Sequence, residues 1–266
     1  MPQPWQPSPA IRLSFAVHGG LALGMLAAPQ LWPWALGTLG TNHLLLTAAG
    51  LLPRSTLLGA NLNRLPAAAR ERGEIALTID DGPDPAVTPR VLDLLDAAGV
   101  RASFFCIGRR ARQAPALCRE IVARGHAVEN HGDAHGLLFA AFGMRRMQAD
   151  IAAAQATLAD LTGVAPRFFR PTAGLRSPLL DPVLARLDLR LASWTRRPFD
   201  TRTGDPERVH RRLTHELAAG DILLLHDGHT ARTATGEPVI IAVLPKLLET
   251  IAHHRLHPVT LTTVLE

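Results

Sequence analysis

From Glu74 onward, short runs rich in apolar and β-branched residues alternate with segments of helical hydrophobic periodicity. This alternation is typical of repeated βα units, which build a mostly parallel sheet. It predicts an α/β fold, and a closed or nearly closed barrel is the architecture that it favours most. The seven predicted strands are residues 74–80, 101–107, 126–130, 167–170, 189–193, 221–226 and 257–263.

Helical patterns fill the gaps between these strands, and each ends near a glycine or a short polar turn. Parallel α/β barrels and sheets assemble their sites at the carboxyl ends of the strands. Titratable residues that directly follow a predicted strand are therefore the candidates for chemistry. The clearest helical patterns are residues 90–98, 116–124, 147–161, 207–219 and 239–254.

Two largely uncharged runs, residues 11–28 and 35–52, precede this region. Each approaches the roughly 20 residues with which a helix crosses a bilayer. The stretch between them contains two Pro and two Trp residues, and Trp rings favour the membrane interface. The pattern predicts an N-terminal helical hairpin. The chain then divides into a membrane-associated hairpin with its linker, residues 1–65, and a main domain, residues 66–266.

Polar residues inside the two runs leave other arrangements open. His18, Asn42 and His43 weaken both runs as spanning helices, so the helices could instead be re-entrant, interfacial or buried against the main domain. A cleaved signal peptide is a further alternative, against which the second apolar run argues. We expect His18 and His43 to be structural.

The charges that flank the two runs predict a topology. The connecting stretch carries no Lys or Arg, whereas Arg12 precedes the pair and four arginines follow it between residues 54 and 72. If both runs span, the positive-inside rule places both ends of the hairpin on the cytoplasmic side of a bacterial inner membrane. The main domain would then lie on that side as well.

The formal net charge is +5, and the basic residues are nearly all arginines that stand singly or in pairs. A nucleic-acid footprint would need them clustered on one face, so we expect no nucleic-acid partner. An affinity for anionic lipid or for a phosphorylated substrate stays open. Cys106 and Cys118 belong to no metal-spaced array, and we expect both to be small buried hydrophobes.

The strongest local signal is TIDDGPDP at residues 78–85, in which an apolar strand leads directly into Asp80 and Asp81. Adjacent residues on an extended chain point in different directions. One carboxylate can therefore bind a metal while its neighbour stays free to act as a base on water. The alternative is a solvated turn, since Asp-Gly-Pro is common in turns.

A second signal is the pair His131 and His135 in HGDAH. On a helical turn this spacing would place both imidazoles on one face, within reach of one cation. Two His and one Asp would leave positions open for water and substrate, as catalytic metal sites require. A third signal is His226, which ends the buried run LLLH and suits proton donation near neutral pH.

Two weaker segments complete the set: RFFRPTAG at residues 167–174, and Ser193-Trp194 followed by Phe199-Asp200. In this order, the five segments resemble the polysaccharide deacetylase family, also called the NodB-homology or carbohydrate esterase family 4 domain. The resemblance covers about residues 75–263. The family motifs TFDDGP, H-[ST]-x-x-H and L-x-H correspond to TIDDGP, HGDAH and LLH, with Gly132 in place of the usual Ser or Thr.

The resemblance implies a distorted (β/α)7 barrel of the NodB type, which agrees with the seven predicted strands. It also implies a carbohydrate N-deacetylase, a hydrolase of carbon–nitrogen bonds in linear amides. A divalent metal would be the cofactor, with zinc expected first and cobalt, nickel or manganese as alternatives. Its ligands would be Asp81, His131 and His135.

The resemblance also implies the roles of the other site residues. Asp80 would be the general base on the attacking water, and His226 would protonate the departing amine. Arg170 would orient Asp80, and Asp200 would favour the protonated form of His226. The substrate would be contacted by the turn from Pro171 to Ala173, which offers an oxyanion N–H, and by Trp194 and Leu224 around the acyl group.

Two departures from the family pattern bear on the substrate. The third motif usually reads R-P-P-Y-G, whereas this chain has Ala173 where the Tyr would be, and Thr201 follows Asp200 where Trp is common. Grooves that bind polymers depend on aromatic platforms, so we expect a small or lipid-linked N-acetylated or N-formylated amino sugar. The segment RPTAGLRSPLL is also similar to family members that deformylate lipid-linked formamido-arabinose.

Three other functions compete with this interpretation. One is a periplasmic N-deacetylase of peptidoglycan or polysaccharide, which would follow if the first run is cleaved or the topology is inverted. Another is a catalytically inactive barrel that binds glycan or lipid. The last is a membrane scaffold in which the hairpin, with membrane lipid around residues 11–52, is the functional part.

Overall fold

The computed structural model describes residues 4–265, which form one seven-stranded parallel sheet with helices around it. The strands follow the predicted order along the chain. They are β1 (Glu74–Asp80), β2 (Ser103–Cys106), β3 (Ala127–Asn130), β4 (Phe168–Phe169), β5 (Arg190–Leu191), β6 (Ile222–His226) and β7 (His257–Val259).

Two helices precede the sheet and eight lie around it in the described part of the chain. They are α1 (Pro9–Ala27), α2 (Trp32–Leu51), α3 (Ala67–Glu71), α4 (Thr88–Ala97), α5 (Gly108–Gln113), α6 (Pro115–Ala123), α7 (Met144–Thr162), α8 (Leu180–Arg186), α9 (Pro206–Thr214) and α10 (Val239–His253).

The sheet is curled, with the strand order β5-β4-β3-β2-β1-β6, and β7 pairs with the start of β1. An isolated parallel bridge between Arg196 and Leu223 links the chain after β5 to β6. This bridge brings the two outer strands of the sheet together. The predicted α/β fold of the NodB type is therefore confirmed, with a barrel that is nearly closed.

The two faces of β1 show how the sequence positions the site. Side chains alternate between the faces of a strand, and Ile75, Leu77 and Ile79 pack into the apolar layer under the helices. Ala76 instead faces the barrel interior, among Phe105, Phe168 and Leu224. Asp80 lies on this same interior face, at the carboxyl end of β1, and pairs in register with His226 on β6.

The predicted boundaries differ most from the structure at two places. The run at residues 257–263 leaves the sheet after Val259, and Leu261–Leu265 form a 3-10 helix. Its threonines hydrogen-bond to one another, Thr260 Oγ1 with Thr262 Oγ1 at 2.8 Å, and such local bonds compete with strand pairing. The helical pattern at residues 207–219 ends at Thr214, because Glu216 adopts a positive φ of 53°.

The N-terminal region forms the predicted pair of apolar helices, α1 and α2, joined by a 3-10 turn at Pro29–Leu31. Asn42 Nδ2 donates to Ser14 Oγ at 2.9 Å, and the Nε2 atoms of His18 and His43 lie 3.3 Å apart. These polar residues thus contact each other between the helices. By length and composition, α1 could cross a membrane. Large exposed side chains on the pair include Leu13, Phe15, Leu23, Leu26, Trp32, Trp34, Leu36, Leu44 and Leu45.

The linker between hairpin and barrel is tied to the sheet. Leu62 forms a parallel bridge beside Ala192, donating its N–H to Leu191 O and accepting from Ser193 N–H, both at 2.9 Å. At the hairpin end, Arg176 N–H donates to Gly50 O at 3.1 Å. A Cβ on Gly50 would collide with Arg176 O, so glycine is what lets α2 approach the barrel this closely.

Candidate active site

The carboxylates of Asp80 and Asp81 diverge at the end of β1, and both are buried. Asp81 has φ = 75°, a left-handed conformation that Asp tolerates better than most residues. This conformation turns the chain sharply after the strand. One carboxylate therefore stays on the inner face of the barrel, and the other points towards the segment after β3.

Arg170 follows β4 and is completely buried beside Asp80. Its Nη1 donates to Asp80 Oδ1 at 2.6 Å and to Thr78 Oγ1 at 2.9 Å. Its Nη2 donates to Ser193 O at 2.7 Å, and the guanidinium lies 4.0 Å from the centre of the Phe105 ring. Arg170 therefore holds Oδ1 of Asp80 in a fixed position.

Potential ligand atoms cluster around Asp81 at the mouth of the barrel. Those of Asp81, His135 and His229 all lie within 4.8 Å of one another, and His131 joins the cluster through Asp81. Asp81 Oδ1 lies 3.2 Å from His131 Nε2 and 3.0 Å from His135 Nε2. Atoms bound to one zinc ion at about 2.0–2.1 Å in a tetrahedron are about 3.3 Å apart. Asp81 Oδ1 is also buried without a hydrogen-bond partner in the described chain. The spacing and this orphaned oxygen fit a divalent cation.

The tautomer of His131 supports the same donor set. His131 Nδ1 lies 2.7 Å from Arg170 O, and a carbonyl oxygen can only accept, so the ring proton is on Nδ1. The lone pair of Nε2 is then free to bind a cation. Burial by itself raises the pKa of Asp81, but contacts with His131, His135 and His229 outweigh it and hold that pKa well below its usual range.

The segment that carries the two imidazoles is a bend and not a helical turn, so the geometric basis of that prediction is wrong. Gly132 and His135 have positive φ values of 77° and 51°. Asp150 on α7 supports the bend, because its carboxylate accepts the N–H groups of Asp133 and Ala134, each at 3.1 Å. A Cβ on Gly132 would lie 2.7 Å from Asp150 Oδ2, which explains the glycine at the family's Ser/Thr position.

His226 lies at the end of β6 and is oriented by Asp200. Its Nδ1 donates to Asp200 Oδ1 and its backbone N–H to Asp200 Oδ2, both at 2.8 Å. Burial lowers the pKa of His226, but the charge and hydrogen bond of Asp200 outweigh it and raise that pKa to about 9. Because Nδ1 is hydrogen-bonded to Asp200, Nε2 is the nitrogen of His226 that is available to a substrate.

One cavity of about 590 Å³ brings these groups together. The predicted substrate-contacting residues Pro171, Ala173, Trp194 and Leu224 all line it, as do Asp80, Asp81, His131, His135 and His226. Arg170 and Asp200 lie behind the cavity wall, against Asp80 and His226. The structure thus places every predicted site residue in the cavity or directly behind it.

Sequence reasoning missed His229, which lines the same cavity. Its Nε2 lies 2.9 Å from Arg110 Nη2, and its Nδ1 lies 3.1 Å from Asp81 Oδ2. Because Arg110 can only donate, the ring proton is on Nδ1 and points at Asp81. The signal for it was present in HDGH, which places a second imidazole three residues after His226.

Comparisons with known proteins agree with this geometry. Residues 67–192 match the family model described as polysaccharide deacetylase. The chain is 31% identical to a peptidoglycan-N-acetylglucosamine deacetylase of Bacillus cereus, over 72% of this chain and 87% of that protein. It is 34% identical to a chitooligosaccharide deacetylase of Azorhizobium caulinodans, over 60% of this chain and 76% of that protein.

Solved structures share the fold. A family 4 carbohydrate esterase from Streptomyces lividans, in complex with acetate, superposes with a TM-score of 0.63 at 29% identity, over 70% of this chain and 91% of that one. A family 4 pseudoenzyme from Bacillus anthracis superposes with a TM-score of 0.69 at 19% identity, over 78% of this chain and 69% of that one. The second likeness concerns the fold alone. With the predicted family and hydrolase class both confirmed, this chain belongs to the polysaccharide deacetylase family.

Proposed function

We propose that this enzyme uses a divalent metal to hydrolyse the N-acetyl or N-formyl group of a small or lipid-linked amino sugar. The observation that carries the proposal is the contact of Asp81 Oδ1 with both His131 Nε2 and His135 Nε2, in one cavity with Asp80 and His226. We assign zinc first, because a donor set of two imidazoles and one carboxylate suits it. Cobalt, nickel and manganese are the alternatives.

Bound at these three atoms, the cation would polarise the acyl carbonyl and make the attacking water more acidic. Asp80 takes the proton of that water on Oδ2, because Oδ1 is held by Arg170. The N–H of Ala173 stabilises the negative charge on the former carbonyl oxygen. His226 then gives the proton on Nε2 to the departing amine.

His229 has a positioning role in this scheme. It donates from Nδ1 to Asp81 Oδ2, so the other oxygen of Asp81 is the one that faces His131 and His135. Hydrogen bonds of this kind orient metal ligands. Arg110 fixes the His229 tautomer and also donates to Asp81 O at 2.8 Å.

The surroundings of the cavity support a small or lipid-linked substrate. Ala173 leaves the wall without the family's aromatic ring, while Leu137 on the opposite loop lines the cavity and is 87% exposed. Gly174 lies where a Cβ would be 2.7 Å from Pro53, at the base of the hairpin. The cavity wall at Gly174 is therefore next to the proposed membrane anchor, which would bring a lipid-linked sugar close to the cavity.

We further propose that residues 1–65 are the membrane-associated unit and residues 66–266 the catalytic unit, on the cytoplasmic side of a bacterial inner membrane. A fluorescent protein and, separately, an alkaline phosphatase fused after Leu65 test this topology. We expect fluorescence and no phosphatase activity. Phosphatase activity would instead support the second candidate, a periplasmic peptidoglycan deacetylase, which the identity with the Bacillus cereus enzyme favours.

The metal and the reaction can be tested together on the full-length protein. We expect about one equivalent of zinc, cobalt, nickel or manganese per chain, and release of free amine from acetylated or formylated amino sugars. His131→Ala should lose the metal and the activity, because it removes one of three ligands. His126→Ala is the matched control, since His126 lies outside the cavity. A wild-type protein that is active without metal would refute the proposal.

The pH dependence of the reaction tests the role of Asp200. Because Asp200 raises the pKa of His226 to about 9, we expect kcat to fall as pH rises through that value and His226 loses its proton. In Asp200→Asn, the alkaline limb should move down towards 6.5, the ordinary pKa of His. Asp93→Asn, a change on the surface, should leave the alkaline limb of the pH profile unchanged. An unmoved limb in Asp200→Asn would exclude His226 as the acid.

A further inference from the structure

The cavity that contains Asp80 and His226 has a cationic wall that the deacylation scheme does not use. It is formed by three arginines, Arg109, Arg197 and Arg202, whereas a fourth, Arg110, already positions His229. Among residues 4–265, no carboxylate lies within ion-pair distance of any of them. Arginines that line a pocket without a partner favour an anion there.

Arg197 is the most constrained of these three. Its guanidinium lies 5.2 Å from the centre of the Trp194 ring and 4.9 Å from that of Phe199, within range of cation–π attraction. These rings hold the side chain in place, yet its Nε is buried and has no acceptor in the described chain. A buried donor without an acceptor is destabilising and is rare unless a ligand or water satisfies it.

The nearest carboxylates are already engaged elsewhere. Both oxygens of Asp200 accept from His226, and Asp80 is bound by Arg170. Burial and the like charge of Arg202 both lower the pKa of Arg197. Arg197 and Arg202 both line the same cavity, so an anion bound there would reduce the repulsion between their charges.

We propose that Arg197 and Arg202 form a subsite for a phosphate ester carried by the substrate sugar. The inference rests on the proposed function, whose substrate class it narrows to phosphorylated amino sugars. The guanidinium fork pairs with phosphate through two parallel hydrogen bonds, and two cations match the charge of a phosphate better than that of a single carboxylate. Trp194 is expected to contact the acyl group, and it also contacts Arg197. The acyl group and the phosphate would therefore be carried by the same sugar unit. A cavity of about 590 Å³ accommodates such a unit.

Binding can be measured apart from turnover by calorimetry on the full-length protein in detergent. The protein is first treated with a chelator, so that phosphate cannot bind to a metal ion in the cavity. We expect glucosamine 1-phosphate to bind at least tenfold more tightly than glucosamine. Arg197→Gln should remove this preference, and Arg202→Gln should reduce it. The second variant keeps the proposal testable if the first fails to fold. Arg145→Gln is the matched control, because it removes the same charge from an exposed position on α7.

Further ligands identify the source of the anion. Inorganic phosphate and farnesyl phosphate are titrated as competitors. If farnesyl phosphate binds more tightly than inorganic phosphate, the substrate is lipid-linked. If the two bind equally well, it is a soluble sugar phosphate. Both results support the subsite. Equal binding of glucosamine and its phosphate, an unchanged preference in Arg197→Gln, or stronger binding of glucuronate than of glucosamine 1-phosphate would overturn it. A protein that binds phosphate but deacylates no sugar would refute the proposed function alone.

Discussion

Asp80→Asn is expected to lower kcat by about 10²- to 10⁴-fold, the usual contribution of a positioned general base. Asn has the shape of Asp, and its carbonyl oxygen can still accept the hydrogen bond from Arg170. The variant therefore removes the base without creating a cavity. The three proposed ligands, Asp81, His131 and His135, remain unchanged, so its metal content should equal that of the wild type.

Measuring kcat and metal content on the same samples separates two roles for Asp80. His131 Nε2 lies 3.8 Å from Asp80 Oδ2, so a small shift would allow Asp80 itself to bind the cation. Loss of metal together with activity in Asp80→Asn would show that Asp80 is a ligand. Retention of more than a tenth of kcat would show that it is not the base. Asp93→Asn serves as the surface control, with kcat unchanged.

The part of the site that lies at strand ends could be predicted from the sequence. The alternation of Ile75, Leu77 and Ile79 predicts β1, and the two carboxylates that directly follow indicate a functional site at its end. Parallel pairing then places Asp80 beside His226, 146 residues later in the chain, because their strands are neighbours in register. The sequence pattern predicted that both residues lie at strand ends, where such sites form, but the pairing of β1 with β6 is known only from the structure.

The parts that depend on contacts between distant side chains could not be predicted. His131 and His135 converge through a bend that Asp150 supports from α7, whereas their spacing indicated a helical turn. The bridge between Leu62 and Ala192 involves one residue on each side, too few to give a periodic pattern. An unpaired arginine such as Arg197 looks the same in the sequence as a paired one, because pairing is decided by the fold.

Arg170→Met is expected to lower the free energy of unfolding by about 3–5 kcal/mol, the usual effect of breaking a buried ion pair from one side. Arg170 has no solvent exposure. Its loss leaves the buried Asp80 carboxylate without its hydrogen-bonded counter-charge, and Ser193 O without the donor that now lies 2.7 Å away. Chemical denaturation followed by circular dichroism measures the change. Arg145→Met, on the surface, should stay within about 0.5 kcal/mol of the wild type.

The double variant Asp80→Asn/Arg170→Met distinguishes a stranded charge from lost packing. If the cost of Arg170→Met comes mainly from the uncompensated carboxylate, removing that charge should restore part of the stability, and the double variant should be more stable than Arg170→Met alone. If the cost comes from the contacts of Arg170 with Phe105 and Ser193, the two changes should simply add. Activity should remain low in either case, since the base is absent. We expect the first result, because at the end of β1 Asp80 is buried in a barrel interior whose strongest counter-charge is Arg170.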